Sequence, residues 1–158
     1  MIADTHLPRG RRRLPEECLR RIATADLVIH AGDFSSVSAY EEIAAIGPRL
    51  AAVHGNVDEP ALRERLPERE LAVVEGVRIG VVHDAGPARG RLARMRRAFP
   101  GAEAVVFGHS HLPLLERDRD FQIFNPGSPT ERRRASAHTM GTARVSERGI
   151  RFTLVRLS

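Results

Sequence analysis

Short apolar runs of strand length alternate along the chain with stretches in which apolar residues recur at helical spacing. Leu27 to His30, Leu50 to His54, Val77 to His83 and Ala104 to Phe107 are such runs, each ending at glycine or polar residues, and they predict buried strands. Between them, Pro15 to Ala25, Val37 to Ile46, Pro60 to Leu66 and Pro87 to Phe99 predict helices, three of them opened by proline near the first turn. This alternation is the mark of an α/β domain.

The final third changes character. Leu112 to Arg117 with Phe121 to Phe124 predict one hairpin, and Thr139 to Val145 with Ile150 to Leu157 predict another about Gly149. Leu71 to Glu75, Gly76 and Val77 to Val82 predict a third. Strands paired in this local way imply mixed rather than purely parallel sheets. Neither an internal repeat nor a linker-like segment interrupts the 158 residues, so one domain over 1–158 is expected. A chain of that length buries roughly 70% of the surface its unfolded form exposes.

Composition narrows the class. Hydrophobic residues are 42% and charged residues 28%, yet no apolar run approaches the ~18 residues of a membrane span. The start, Met1-Ile2-Ala3-Asp4, lacks the basic and long apolar regions of a secretory signal, so a cytoplasmic protein is expected. The single cysteine, Cys18, sits in an apolar helical pattern and reads as core filler. A net charge of +5 and a pI near 11.0 would suit a polyanion such as nucleic acid. All 25 basic residues are arginine, however, which points to codon composition, and aromatics at 4% leave little for stacking on bases. Nucleic-acid binding is therefore weakly supported, and a homo-oligomer is left open.

The chemistry-bearing residues are Asp4-Thr5-His6, Gly32-Asp33, Gly55-Asn56-Val57-Asp58, His83 and Gly108-His109-Ser110-His111. Each stands at the carboxyl end of an expected strand or in its first loop residues, where sites of open α/β sheets gather. Singly these elements are weak, since an Asp-x-His arises by chance and Gly-Asp is ordinary turn chemistry. The ordered series of five is improbable as punctuation. Aspartate, histidine and one asparagine are oxygen and nitrogen donors suited to Mn²⁺, Fe²⁺, Zn²⁺ or Ni²⁺. In Asp4-x-His6 and His109-x-His111 a period of two lets both side chains address one edge.

This series resembles the calcineurin-like metallophosphoesterase superfamily and, more narrowly, its small single-domain phosphodiesterase branch of bacteria and archaea. The resemblance runs from Asp4 through Asn125-Pro126-Gly127-Ser128. It implies a two-sheet mixed β-sandwich flanked by helices, four layers in the order α-β-β-α. It also implies a hydrolase with two divalent ions, manganese first among them: Asp4, His6 and His111 would hold the first ion, Asn56, His83 and His109 the second, and Asp33 both. A hydroxide between the ions would attack a phosphate ester. Two such ions, less the charges of Asp4, Asp33 and the hydroxide, leave a site of about +1 that attracts a phosphodiester anion. A small-molecule phosphodiester, with nucleotides among the candidates, is the implied substrate. Alternatives are a phosphomonoesterase on the same site and a non-catalytic protein-interaction scaffold of the same fold, as in the eukaryotic retromer coat. The seven intact donor positions favour catalysis.

Where many phosphatases of the superfamily carry a proton-donating histidine after Gly-Asn, this chain has Val57, which fits diesters with acidic leaving groups. Asp58 would then orient a ligand histidine. Only Met1, Ile2 and Ala3 precede Asp4, so the first strand is expected to be truncated by a mis-assigned start codon; were Met1 the true start, Asp4 and His6 would be expected to hang from a frayed end. Asp84 beside His83 is expected to touch the second ion or its histidine. His30 and His54 match no ligand position and read as hydrogen-bonded structural residues, His30 close to the site. The runs Arg9 to Arg13 and Arg132 to Arg134 read as solvated loops, with a grip on a second phosphate as the alternative.

Overall fold

The computed structural model describes residues 1–8, 10–47 and 49–158. Its helices are α1 (Glu16–Ala23), α2 (Val37–Ala44), α3 (Pro60–Arg65) and α4 (Arg91–Ala98). Its strands are β1 (Val28–His30), β2 (Leu50–Ala52), β3 (Arg69–Val74), β4 (Val77–Val82), β5 (Ala104–Val106), β6 (Leu114–Asp118), β7 (Phe121–Asn125), β8 (His138–Ser146) and β9 (Gly149–Leu157). One mixed sheet runs β3-β4-β5-β7-β6, with β4, β5 and β7 parallel. The parallel pair β1-β2 and the antiparallel pair β8-β9 are joined through the amino terminus. There Ile2 bridges His30, while Met1 exchanges backbone hydrogen bonds of 2.7 and 2.9 Å with Gly141.

Side-chain parity sorts the layers, because successive residues of a strand face opposite sides. Ile29 and Ala51 face inward to meet Ile79, Val81, Ala104, Val106 and Phe124 of the five-stranded sheet, together with Phe152 of β9. Phe124 and Phe152 stack with centroids 4.7 Å apart. Val28 and Ala52 point the other way, onto Cys18 and Ile22 of α1, Ala39 and Ile43 of α2, and Leu62 of α3. On the far face, Val82, Val105, Phe121 and Ile123 pack against Met95 and Phe99 beside α4. The result is the expected α-β-β-α stack, in which each fully buried large apolar side chain contributes about 1.5–3 kcal/mol. Gly80 admits Phe99, whose ring would lie 2.5 Å from a Cβ at that position.

Two expectations about the elements are corrected. The amino terminus is not frayed: Ile2 and Ala3 are fully buried, Ile2 is hydrogen-bonded to Ile29 and Ala31 on one side while Met1 is bonded to Gly141 on the other, and burial lowers the Met1 amine to about 6. Helix α4 starts at Arg91 rather than Pro87, because Gly90 adopts a left-handed φ of 71° and Arg94 ties the carbonyls of Ala85 and Pro87 into a loop. Among the described residues no helix is long and apolar enough to cross a membrane.

Candidate metal centre

The parallel strands end along one rim, and the loops beyond them carry the chemistry. Asp4 and His6 follow the bridge at Ile2, Asp33 follows β1, Asn56 follows β2, His83 follows β4, and His109 and His111 follow β5. Five of these seven residues hold left-handed backbone: φ is 55° at Asp4, 47° at His6, 62° at Asp33, 66° at His109 and 58° at His111. Such a conformation costs an L-residue about 1–2 kcal/mol and turns each side chain inward from a kinked loop.

The seven donors gather around two points. At the first, His6 Nε2 lies 3.2 Å from His111 Nε2 and 3.8 Å from Asp33 Oδ2, and His111 Nε2 lies 3.4 Å from Asp4 Oδ1. At the second, His83 Nε2 lies 3.3 Å from Asp33 Oδ2 and 3.0 Å from Asn56 Oδ1, while His109 Nδ1 lies 3.0 Å from Asn56 Oδ1 and 3.3 Å from His83 Nε2. Asp33 Oδ2 is common to both. Two donors on one ion, each about 2.1 Å from it, stand about 3.0–4.2 Å apart, and every separation here lies in that window. Asp4 Oδ2 is buried without a hydrogen-bond partner, as an oxygen awaiting a cation would be. The residues present therefore fit divalent ions, with Asp4, His6 and His111 forming one compact group and Asp4, Asp33 and His83 another.

Neighbouring groups set the donor atoms. Nδ1 of His111 donates to the Glu131 carbonyl at 2.8 Å and Nδ1 of His83 to the Ala31 carbonyl at 2.8 Å, so each Nε2 keeps a lone pair directed at the centre. Burial, then Asp33, pushes Asp4 up to about 7. At Asp33 burial acts in the same sense, but hydrogen bonding and charge from His83, with the Val57 amide, outweigh it and hold the carboxyl at about 2. Burial lowers His6 and brings His111 to about 4. His83 is also pulled down by burial, yet Asp33 and Asp4 prevail and raise it.

The glycines beside the donors are spacers. A Cβ on Gly108 would stand 2.9 Å from Asp4 Oδ2, and one on Gly55 would collide with the carboxylate and backbone of Asp33. The 125–130 loop braces two donor loops: Asn125 donates to the Gly108 carbonyl at 2.8 Å, Ser128 to the Asp4 carbonyl at 2.8 Å and Thr130 to the Thr5 carbonyl at 2.7 Å. His30 is fully buried against Thr5 and Phe34, and the His54 ring hydrogen-bonds the Gly55 carbonyl, so both remain outside the donor set.

Other assignments change. Asp58 does not orient a histidine, because its two oxygens accept the backbone N–H groups of Asp33, Ser35 and Gly55. Asp84 is exposed and closes a turn by accepting from the Gly86 N–H at 2.7 Å, with no hydrogen bond to His83. Arg9 lies outside the described residues. Arg11 and Arg13 are exposed as expected, whereas Arg12 is half-buried, with Nη2 3.5 Å from Glu131 Oε1 and Nη1 shut from solvent. Arg132 stays on the surface with the Ser136 carbonyl. Glu131, unremarked in the sequence, stands 3.5 Å from His6 Nε2; burial opposes its ionisation, but Arg12, His6 and His111 together hold it below the usual range. A groove of about 540 Å³ beside Met1 and β8 contains none of the seven donors.

The chain belongs to the calcineurin-like phosphoesterase superfamily, whose domain model matches residues 1–148. It is 32% identical over 132 residues to a probable metallophosphoesterase of Methanothermobacter thermautotrophicus, covering 82% of this chain and 76% of that one. Wild-type Vps29 of Entamoeba histolytica in complex with Zn²⁺ superposes with a TM-score of 0.75 at 19% identity, covering 98% of this chain and 96% of the other. A novel archaeal phosphodiesterase superposes with a TM-score of 0.69 at 18% identity, covering 98% and 97%. These two likenesses establish the fold.

Proposed function

We propose that this metallophosphoesterase is a phosphodiesterase that binds two divalent ions, manganese foremost, within one domain. The observation that carries the reading is the shared Asp33 Oδ2, 3.8 Å from His6 Nε2 and 3.3 Å from His83 Nε2, with further donors completing a ring on either side. When bound, such ions supply charge neutralisation for the phosphoryl group and an activated water.

The protein's own groups divide the remaining work. Asp4, His6 and His111 form the buried wall of the site, whereas Asn56 and His109 are exposed at the rim, where a substrate must enter. Two carboxylates and one amide leave an ion pair positive, which draws in an anionic ester. Val57, exposed beside Asn56, offers no proton to a leaving group, and this favours diesters whose leaving groups need none. The archaeal neighbour's name supports the same choice. A phosphomonoesterase ranks second, and a scaffold would have no need of an intact donor ring. Turnover of p-nitrophenyl diester and monoester by the Mn²⁺-loaded protein tests the ranking: the diester should be the better substrate, and a clear monoester preference would overturn it.

A further inference from the structure

His30 is fully buried and contributes none of the seven donor atoms. It ends β1 just ahead of Gly32 and Asp33. Phe34, the residue after Asp33, stacks on its ring with centroids 3.5 Å apart and planes 15° from parallel. With the ring so fixed, Nδ1 meets the Gly32 N–H at 3.2 Å and Nε2 meets Thr5 Oγ1 at 3.0 Å. A backbone N–H only donates, so Nδ1 is the bare acceptor nitrogen. The hydrogen of the neutral ring is then on Nε2, which donates to the Thr5 hydroxyl oxygen. Burial pushes this histidine well below its ordinary value and so keeps the ring neutral.

Thr5, at the far end of that bond, is the middle residue of the bend that presents Asp4 and His6, whose φ values are 55° and 47°. Left-handed backbone of this kind persists only where its surroundings hold it. Backbone groups fix part of the bend: the Asp4 and His6 N–H groups donate to the Gly32 and Asp33 carbonyls, each at 3.0 Å, and the Thr5 carbonyl accepts from Thr130. The Thr5 side chain is fully buried, and among the described residues His30 is its hydrogen-bond partner. Resting on the metal reading above, we propose that His30 is a positioning residue for the first ion, locking the Asp4–His6 bend against the Asp33 loop through the Thr5 hydroxyl. Without that bond, Asp4 and His6 drift from the separations that suit one ion. Asn56, His83 and His109 stand on other loops and keep theirs.

Calorimetric titration of the full chain with Mn²⁺, at a temperature where circular dichroism shows every variant folded, tests this. Thr5→Val keeps the branched shape and deletes the hydroxyl, and one of the two ions should then bind about 10- to 100-fold more weakly with the other unchanged. Thr5→Ser, which retains the hydroxyl, should bind both ions as the unaltered protein does. His30→Asn shortens the side chain, keeping an acceptor for Gly32 and losing the donor to Thr5. It should reproduce the Thr5→Val loss, and the double variant should lose no more than either single one. Unchanged affinities in Thr5→Val would overturn the proposal. So would equal weakening of both ions, a Thr5→Ser variant as weak as Thr5→Val, or additive losses in the double variant, since each assigns the effect to a general loosening or to separate paths. Should His30→Asn not fold, the Thr5→Val and Thr5→Ser pair decides alone. Fewer than two ions on the unaltered protein would sink the metal reading and this proposal with it, a result visible before any variant is compared.

Discussion

The carboxylate of Asp58 reaches across 25 residues to accept the backbone N–H of Asp33 at 3.1 Å. The same oxygen accepts from Gly55 at 2.7 Å, and its other oxygen accepts from Ser35 at 2.7 Å. One buried side chain thus clamps the loop that presents Asp33 to the loop that presents Asn56. Arg63 reinforces the clamp, donating to the carbonyls of Asp58 and Asn56.

Asp58→Ala would strand three amides at once. A loss of about 3–5 kcal/mol is expected, with a fall of about 10 °C in melting temperature, and Mn²⁺ affinity should drop about 10- to 100-fold. Thermal denaturation and calorimetry check both numbers, and a melting temperature within a degree or two of the unaltered protein would refute the clamp.

Asp33→Ala and His109→Ala remove donors without opening the core, since neither side chain belongs to an apolar cluster. Diester turnover should fall at least about 100-fold while circular dichroism stays unchanged. Retained turnover in either variant would remove that residue from the centre.

The elevated Asp4 gives a pH signature. Its carboxyl sits at about 7 instead of the ordinary 3.8, so the folded chain keeps a proton that the unfolded chain has released. Stability from this group is full below about pH 4 and is lost as pH rises toward 7, at up to about 1.4 kcal/mol per unit. Asparagine does not titrate. In EDTA, melting curves should therefore show Asp4→Asn gaining on the unaltered protein between pH 4 and 7. With saturating Mn²⁺ at pH 8 the order should reverse, and parallel curves throughout would disprove the assignment.

Val57 is 46% exposed, and its backbone N–H donates to Asp33 Oδ1 at 3.0 Å, which places its side chain at the rim of the centre. Val57→His should restore a proton donor and raise monoester relative to diester turnover at least about tenfold, within the usual range for acid catalysis. Assays of both esters decide, and an unchanged ratio would remove leaving-group protonation as the basis of the preference.

Asp33, Asn56, His83, His109 and His111 were legible because each follows an apolar run that had to be a strand, and parallel strands end on one side, whereas Asp4 and His6, preceded by only three residues, were legible from their Asp-x-His spacing. Asp58 misled because its partners are backbone amides, whose positions depend on how two loops cross. Arg12 and Glu131 are more than a hundred residues apart in sequence, and neither lies in a periodic element that would have flagged it. Gly90 marked the true start of α4, but Pro87 three residues earlier carried the stronger signal.

The left-handed kinks at Asp4, His6, Asp33, His109 and His111 have an evolutionary consequence. Aspartate, asparagine and histidine are the side-chain-bearing types that tolerate this conformation best, so the residues that suit the ions also suit the bends. A descendant that had abandoned hydrolysis would still be pressed by its backbone to keep those types, or glycine, at these five places. Spelling at the motif would then persist longer than the spacing between donor atoms, and it is that spacing which testifies to a working enzyme.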